Sequence, residues 1–359
     1  MKKGNKRLII SLVFVALLYA AGCLIEHTAG TKSMVVTVLQ KGAVYALIAV
    51  SMNLLNGFTG LFSLGQAGFM LVGAYSYAIL TIPMAKRAAV YQYYNGGWVQ
   101  FTIGVIPALL VAGIVAALFA ALIGMPVLRL KGDYLAIATL GFAEIIRAIV
   151  QWDTIGPLTN GSNLLKTYPT FTNTKILGTT VLFPFIVSGV CIGLILLIIN
   201  STYGRAFKAI RDDEVAAEAM GINLFHHKQM AFVISSFFAG IGGALLAMYQ
   251  GSLQANSFKS SMTYEILLIV VIGGMGSVSG SIMASFLFIA CSEWWLRFLD
   301  AETMLGDFKV PLLAPGFRMV VFAVVIMVVV LFFRKGIMGD RELWELGSRR
   351  KAKGGRSVK

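Results

Sequence analysis

Long apolar stretches recur along almost the whole chain, and they limit the environments in which this protein can fold. A run of about 20 apolar residues is long enough to cross the hydrocarbon core of a bilayer as a helix. Hydrophobic residues make up 58% of the 359 residues and charged residues only 13%, whereas a soluble domain is about a quarter charged. The sequence therefore predicts an all-α integral membrane protein.

The positions of the basic residues predict the side of the membrane on which each loop lies. The net charge is +14, and Lys and Arg cluster beside the apolar stretches, which favours cytoplasmic loops over a nucleic-acid-binding surface. We expect about ten transmembrane helices with cytoplasmic N- and C-termini. Residues 1–333 would form this transmembrane domain, and residues 334–359 a basic cytoplasmic tail with a disordered end. The predicted spans are residues 8–25, 34–55, a third that ends near 82, 101–128, 133–152, 177–200, 229–249, 264–277, 281–298 and 316–333.

The first apolar stretch, residues 8–25, follows a basic N-terminus and admits a second interpretation. A charged start and an apolar region are also typical of a cleaved signal peptide. Ala20, Ala21, Gly22 and Cys23 resemble a weak lipoprotein cleavage site. Because many further spans follow, we favour a first transmembrane helix.

Residues 204–223 are the longest polar, helix-prone segment between two apolar stretches. Five alanines favour a short helix, and Gly221 followed by Asn223 is typical of its C-terminal end. Each charge at the centre of a bilayer costs about 2.5–3.5 kcal/mol, and this segment contains seven. It must therefore lie outside the membrane, where its small residues can contact a soluble partner; an ordinary solvated loop is the alternative.

Residues 53–74 are rich in glycine and also contain Asn53, Asn56, Ser63 and Gln66. One interpretation is plain helix packing, in which small residues let two backbones approach closely. The other is a broken helix or re-entrant turn that lines a polar pathway, because irregular backbone is tolerated in a membrane only where protein or water satisfies it. The sequence leaves both open.

The remaining polar groups indicate neither catalysis nor metal binding. The three cysteines and three histidines lack metal-ligand spacing, and residues 273–281 are glycine-rich without the Gly-Lys-Ser/Thr of a nucleotide-binding loop. We therefore expect no ATPase of the chain's own and no metal. Glu144 and Arg147 are spaced to pair within a span. Such a pair is either functional or, as we favour, a structural ion pair near a helix end.

Four stretches stand out in the chain: residues 53–69, 130–147, 204–223 with 231–245, and 272–285. Together they resemble the membrane permease subunit of ABC importers for branched-chain amino acids. Each is moderately specific, and their order and spacing over most of residues 40–290 are strongly specific for this family. The chain departs from the family pattern at Gln66, where histidine is frequent, at Leu164, where glycine is usual, and at Ser281, where proline is common. The stretches are NLLNGFTGLFSLGQAGF (53–69), LKGDYLAIATLGFAEIIR (130–147), GRAFKAIRDDEVAAEAMGIN with AFVISSFFAGIGGAL (204–223 and 231–245), and IGGMGSVSGSIMAS (272–285).

The resemblance implies a transport subunit in a bacterial inner membrane, not an enzyme. It implies a heterodimer with a related permease subunit, two cytoplasmic ATPase subunits and an extracytoplasmic solute-binding protein. ATP is used by those partners, so no cofactor is expected on this chain. Residues 204–223 resemble the coupling helix that contacts the ATPases. The residues assigned to ATPase coupling are Arg205, Asp212, Asp213, Glu214, Ala216, Ala217, Glu218 and Gly221.

The expected function is import of branched-chain amino acids by alternating access. A permease of the same family for urea or short amides is an alternative. An ion-coupled secondary transporter is another, and the sequence offers it Glu144 and Arg147 as ionisable groups within a span. A non-transporting scaffold would not explain the buried glycine and asparagine content. The polar residues assigned to the solute pathway are Asn53, Asn56, Gln66, Asn160 and Asn163.

Overall fold

A computed structural model of the chain describes residues 33–295, apart from 95, 131 and 176–178, and a few positions beyond them. Those positions are 304–305, 308–309, 321, 324, 327, 336–339 and 342. The predicted span at 8–25, with its possible cleavage site, lies outside the described residues. So do most of the predicted span at 316–333 and most of the predicted tail.

The regular secondary structure of the described residues is almost entirely helical, as the sequence predicts. Two π-helical turns, Leu54–Phe58 and Cys291–Trp295, extend α1 and α12, and short 3-10 turns occur at Asp153–Ile155 and Ala255–Ser257. Two residues, Met304–Leu305, pair antiparallel with Phe308–Lys309. The helices are α1 Met34–Asn53, α2 Gln66–Thr81, α3 Met84–Val90, α4 Val105–Val127, α5 Asp133–Gln151, α6 Gly156–Thr159, α7 Leu182–Asn200, α8 Thr202–Asp212, α9 Glu214–Ala219, α10 Leu224–Gln250, α11 Ser260–Gly273 and α12 Val278–Ala290.

Several of these helices can cross a membrane. Within the described part of the chain, four are long and apolar enough: Met34–Phe58, Val105–Val127, Leu182–Asn200 and Leu224–Gln250. A fifth candidate is α5 with residues 153–159, a pair bent by 60°. α2, α11 and α12 have 16, 14 and 13 residues, which is short for a span of about 20 residues. A multi-span helical protein is therefore confirmed, whereas ten spans and cytoplasmic termini stay predictions.

Helix α10 lies at the centre of the bundle, packed against α1, α2 and α4. The Ser235 hydroxyl donates a hydrogen bond to the Ser51 carbonyl at 2.7 Å, and the Gln229 amide donates to the Ala121 carbonyl at 2.9 Å. Because early residues of α10 meet late residues of α1 and α4, α10 runs antiparallel to both. These two side chains thus donate to backbone carbonyls of neighbouring helices inside an apolar bundle.

Glycines allow α10 to approach its neighbours at backbone distance. Gly73 of α2 lies directly against the backbone of Gly240, and a Cβ atom on Gly240 would lie 2.5 Å from the Ala116 Cβ of α4. No side chain fits there without moving a helix. Gly240, Gly242 and Gly243 together form a small-residue packing face on α10.

Arg87 of α3 holds together one end of the bundle, where the loops between α2 and α4 and between α5 and α7 meet. Its guanidinium donates to the carbonyls of Ile79 at 3.0 Å, Ile82 at 3.2 Å and Phe101 at 2.6 Å, and also to Val99. The last carbonyls of a helix lack hydrogen-bond partners within it. Arg87 supplies the donors for these carbonyls at the end of α2. We call this the loop end; α8 and α9 lie at the opposite, α8–α9 end.

We expect Gly240→Ala to lower the stability of the protein by about 1–3 kcal/mol, the usual cost of overpacking a filled core. The matched control is Gly193→Ala on α7, where an added Cβ meets nothing within 4 Å. The midpoint of heat-induced unfolding in detergent micelles would fall for the first variant and stay or rise for the second. Equal unfolding midpoints for Gly240→Ala and the parent protein would contradict the close packing of α10 against α2 and α4.

Candidate functional site

The chain is not helical between α1 and α2, and polar side chains satisfy the backbone there. The Asn56 amide donates to the Ser63 carbonyl and accepts from the Ser63 N–H, both at 3.3 Å. The Leu64 N–H donates to the Thr139 hydroxyl of α5 at 3.0 Å. Gly68 and Gly73 pack closely on neighbouring helices, so both interpretations of this glycine-rich region hold in part, and the polar pathway stays a prediction. The interruption of the helix lies between Phe58 and Gln66. It is closed by protein groups, as irregular backbone inside a membrane requires.

Asn53, the last residue of α1, joins this interruption to the turn between α11 and α12. Its amide nitrogen donates to the Ser277 carbonyl at 2.9 Å and to the Ser281 hydroxyl at 2.8 Å. Its amide oxygen accepts from the Gly276 N–H at 2.9 Å. The side chain is fully buried, so it serves as a polar clamp between distant segments. Ser281, one of the departures from the family pattern, is part of this clamp.

The five residues assigned to a solute pathway fall into two groups. Asn53 and Asn56 lie at the α8–α9 end, and Gln66 at the start of α2 donates to the Ser51 hydroxyl at 2.8 Å. Asn160 and Asn163 lie in the loop end and line a surface cleft. The structure does not bring the two groups together, and contact with a solute stays a prediction for all five.

The predicted single helix in residues 204–223 is wrong, because the structure has two helices. Asp213 is extended, with φ −160° and ψ 112°, and its carboxylate accepts from the N–H groups of Val215 and Ala216 at 2.9 and 3.1 Å. An aspartate that caps a helix in this way starts a new one. The predicted end at Gly221 is confirmed: its φ is +84°, and the Ile222 N–H donates back to the Ala217 carbonyl at 3.1 Å.

The surface of α9 differs from the alanine face that the sequence suggests. Ala217 is buried, whereas Ala216 is exposed. Val215 is 77% exposed and Met220 83% exposed, so two larger apolar side chains dominate the outer surface. We call Val215, Ala216 and Met220 the α9 face. The rim of assigned residues around it is exposed or half-buried and consists of Arg205, Asp212, Asp213, Glu214 and Glu218.

Helix α8 contacts the interrupted helix directly. The Arg211 guanidinium donates to the Gly57 carbonyl at 3.2 Å, and the Lys208 ammonium lies 5.5 Å from the centre of the Phe58 ring. Gly60 has φ +74° and packs against Arg211, where an added Cβ would lie 2.9 Å from the Arg211 Cγ. Residues 204–223 are thus in contact with the irregular backbone that follows α1.

A carboxylate from the predicted tail caps α12. Glu342 is 9% exposed and accepts from the N–H groups of Val278 at 2.7 Å and Ser279 at 3.1 Å, and from the Ser279 hydroxyl at 2.6 Å. An acidic group at a helix N-terminus is favoured by both the free N–H groups and the helix dipole. The sequence shows no signal for this contact, because Glu342 lies 64 residues after Val278.

Ionisable pairs link helices elsewhere in the bundle. Glu144 and Arg147 pair at 2.6 Å, and the Ser260 hydroxyl donates to Glu144 at 2.5 Å, which fits the structural interpretation of this pair. A second pair, Lys41 with Glu293 at 2.5 Å, was missed because its members are 252 residues apart. Among the described residues, no group of three or more His, Cys, Asp and Glu could hold a metal ion.

The fold and these contacts define a multi-span helical membrane protein whose interrupted helix contacts the amphipathic helix α8. A family model described as branched-chain amino acid transport system, permease component, matches residues 34–330. The chain belongs to this family. The proteins of this family are described as permease components, which agrees with the predicted transport subunit and not with an enzyme.

Individual relatives agree with the family. The high-affinity branched-chain amino acid transport system permease protein LivM of Escherichia coli K12 is 34% identical over 296 residues, which cover 74% of this chain and 65% of LivM. LivH of the same organism is 22% identical over 315 residues, 84% of this chain and 93% of LivH. The probable LivM of Methanocaldococcus jannaschii is 24% identical over 265 residues, 66% of this chain and 74% of that protein. The chain thus spans slightly less than two thirds of the length of E. coli LivM. No solved structure matches it.

We expect Asn53→Ala to destabilise the protein, because the buried Gly276 N–H would lose its partner and the Ser277 carbonyl one of its three. A buried polar group left without a hydrogen bond costs about 1–3 kcal/mol. Asn200→Ala, at the exposed end of α7, is the matched control and should change little. Thermal unfolding of the purified variants measures both. A midpoint for Asn53→Ala that matched the control would show that the clamp contributes nothing.

Proposed function

We propose that this chain is the transmembrane permease subunit of a binding-protein-dependent ABC importer that moves branched-chain amino acids into the cytoplasm. The observation that carries the proposal is the family match over residues 34–330. Two relatives of this chain, LivM and LivH, are named as permease proteins of branched-chain amino acid systems. The substrate class of those proteins is assigned here to this chain.

The α9 face supports the proposed contact with partner ATPases. Val215 and Met220 are large apolar side chains that stand 77% and 83% exposed at the α8–α9 end, surrounded by charged residues. An apolar centre with a charged rim is the arrangement of a protein–protein interface. Ala217 is buried and therefore supports the helix from within, whereas Ala216 is open to a partner.

A route for coupling leads from α8 to the broken helix. Movement of α8 would act on the Gly57 carbonyl through Arg211. It would next reach Asn53 and, through the Gly276 N–H, the turn between α11 and α12. We propose that ATP binding and hydrolysis in the partners move α8 and α9, and that this route passes the movement to the helices for alternating access. Packed elements with two discrete arrangements are suited to such transmission.

The proposed assembly follows from the same family. This chain would pair with a related permease subunit, contact two cytoplasmic ATPases that use the ATP, and receive solute from an extracytoplasmic binding protein. Similarity to both LivM and LivH supports a pair of related permeases. About ten spans with cytoplasmic termini in a bacterial inner membrane complete the proposal. The loop end then faces outward, and the α8–α9 end faces the cytoplasm.

Uptake of labelled leucine tests this function. Cells would carry this chain with its neighbouring transporter genes and either an intact or a catalytically dead ATPase subunit. We expect leucine uptake only with the intact ATPase. Uptake that persisted with the dead ATPase would indicate an ion-coupled carrier. Uptake of urea or short amides in place of leucine would overturn the substrate class and keep the ABC mechanism.

The double variant Val215→Asp with Met220→Asp should uncouple uptake from ATP hydrolysis. Charges at the centre of an apolar interface cost at least about 2 kcal/mol, which predicts a loss of uptake of more than about tenfold. Met84→Asp, at a 50% exposed methionine of the loop end, is the matched control. Membrane amounts are compared by immunoblot. Full uptake by a normally inserted double variant would remove the α9 face from the mechanism.

A further inference from the structure

A cleft of about 360 Å³ opens at the loop end, between the segment after α3 and the loop after α6. Clefts of about 300 Å³ and more are large enough for small ligands. Its lining includes apolar residues and amides but no carboxylate. We call it the loop cleft; the lining residues that matter here are Val90, Tyr93, Asn160, Asn163, Leu164 and Lys166.

The loop cleft is a built structure and not a gap between loose segments. The Tyr91 hydroxyl donates to the Leu158 carbonyl at 3.0 Å, and burial raises the pKa of Tyr91 to about 12, so it stays a donor. Leu165 pairs with Leu253 through two backbone hydrogen bonds of 2.9 Å. These contacts fix both walls of the cleft to the rest of the loop end.

Asn160 lies in the wall of this cleft and holds an unused hydrogen-bond acceptor there. It is 1% exposed, ends α6 in the left-handed region with φ 65°, and donates through its amide nitrogen to the Leu164 carbonyl at 3.2 Å. Its amide oxygen has no hydrogen-bond partner among the described residues. A buried acceptor without a partner is unfavourable, so this oxygen is suited to a ligand that brings an N–H group.

Lys166 supplies a positive charge at the same cleft. Its side chain is exposed on the cleft and forms no ion pair within the described part of the chain. An ammonium group of this kind attracts a carboxylate. Val90 and Leu164 add an apolar wall between the two polar groups. The backbone of Thr167, next to Lys166, has φ 67°, and residues in this region of φ cluster at ligand sites.

We propose that the loop cleft binds a free α-amino acid with an apolar side chain. The ligand carboxylate pairs with Lys166, and the ligand side chain packs on Val90 and Leu164. The ligand ammonium donates to the Asn160 amide oxygen after a small side-chain movement that uncovers this buried atom. This inference rests on the proposed function for the choice of an apolar side chain. It adds a site on this chain at the outward end, where solute arrives before it enters the transmembrane helices.

Binding of three related probes to the full-length protein in lipid nanodiscs tests the site. The probes are leucine, leucinamide, which lacks the carboxylate, and 4-methylpentanoate, which lacks the ammonium. Lys166→Gln should weaken leucine about tenfold, equal to about 1.4 kcal/mol, and leave leucinamide unchanged. Asn160→Gly keeps the left-handed backbone and should weaken leucine while leaving 4-methylpentanoate unchanged. Lys175→Gln removes an equal exposed charge outside the cleft and serves as the control.

Three outcomes would overturn the site: no saturable leucine binding, an equal loss for leucine and leucinamide with Lys166→Gln, or an equal loss with Lys175→Gln. The thermal midpoint of each variant identifies a folding defect; if Asn160→Gly unfolds, the exposed Lys166→Gln decides. If the protein bound no leucine but leucine uptake still depended on ATP, the loop cleft would be excluded as a binding site and the importer proposal would stand. Saturable leucine binding together with uptake that survives a dead ATPase would keep the loop cleft and remove the ABC mechanism.

Discussion

The structure depends on one requirement: backbone N–H and carbonyl groups inside an apolar bundle must have partners. A continuous helix satisfies these groups by its own hydrogen bonds. This chain, however, leaves the helix after Phe58 and resumes it at Gln66. Asn56 and Thr139 supply the missing partners across the break. Because side chains supply these partners, the break has a defined shape, and neighbouring segments can pack against it.

Two of those segments meet at the break from different parts of the chain. Arg211 reaches it from α8 through the Gly57 carbonyl, and Asn53 ties it to the turn before α12 through Gly276. Glu342 then caps α12 from the far side of this turn. Every step is a hydrogen bond to backbone, so displacement of one segment leaves buried polar groups unpaired in the next. This makes the α8–α9 end mechanically continuous, which a coupling role requires.

The sequence predicts what local chemistry determines. Apolar length gives a multi-span helical protein, Gly221 gives the end of α9, and Gly240 with Gly243 gives close helix packing. The break at Asp213 was missed because a helix-prone composition hides a cap inside the helix. The Glu342 cap and the Lys41–Glu293 pair join residues 64 and 252 positions apart, and no pattern within one segment indicates such partners. Helix α11 has the same 14 residues as the stretch predicted at 264–277 but begins at Ser260, because hydrophobicity measures apolar content and not where a helix begins.

Unpaired polar atoms are informative in a bundle that otherwise satisfies its polar groups. Four buried side-chain atoms lack a hydrogen-bond partner among the described residues. Three of them, on Tyr75, Ser188 and Gln229, belong to helices packed in the bundle. The fourth, the Asn160 amide oxygen, lines a cleft that also holds an exposed lysine and an apolar wall. Because a buried acceptor beside open space can gain its hydrogen bond from an incoming molecule, the loop end is where this chain is best prepared to meet a solute.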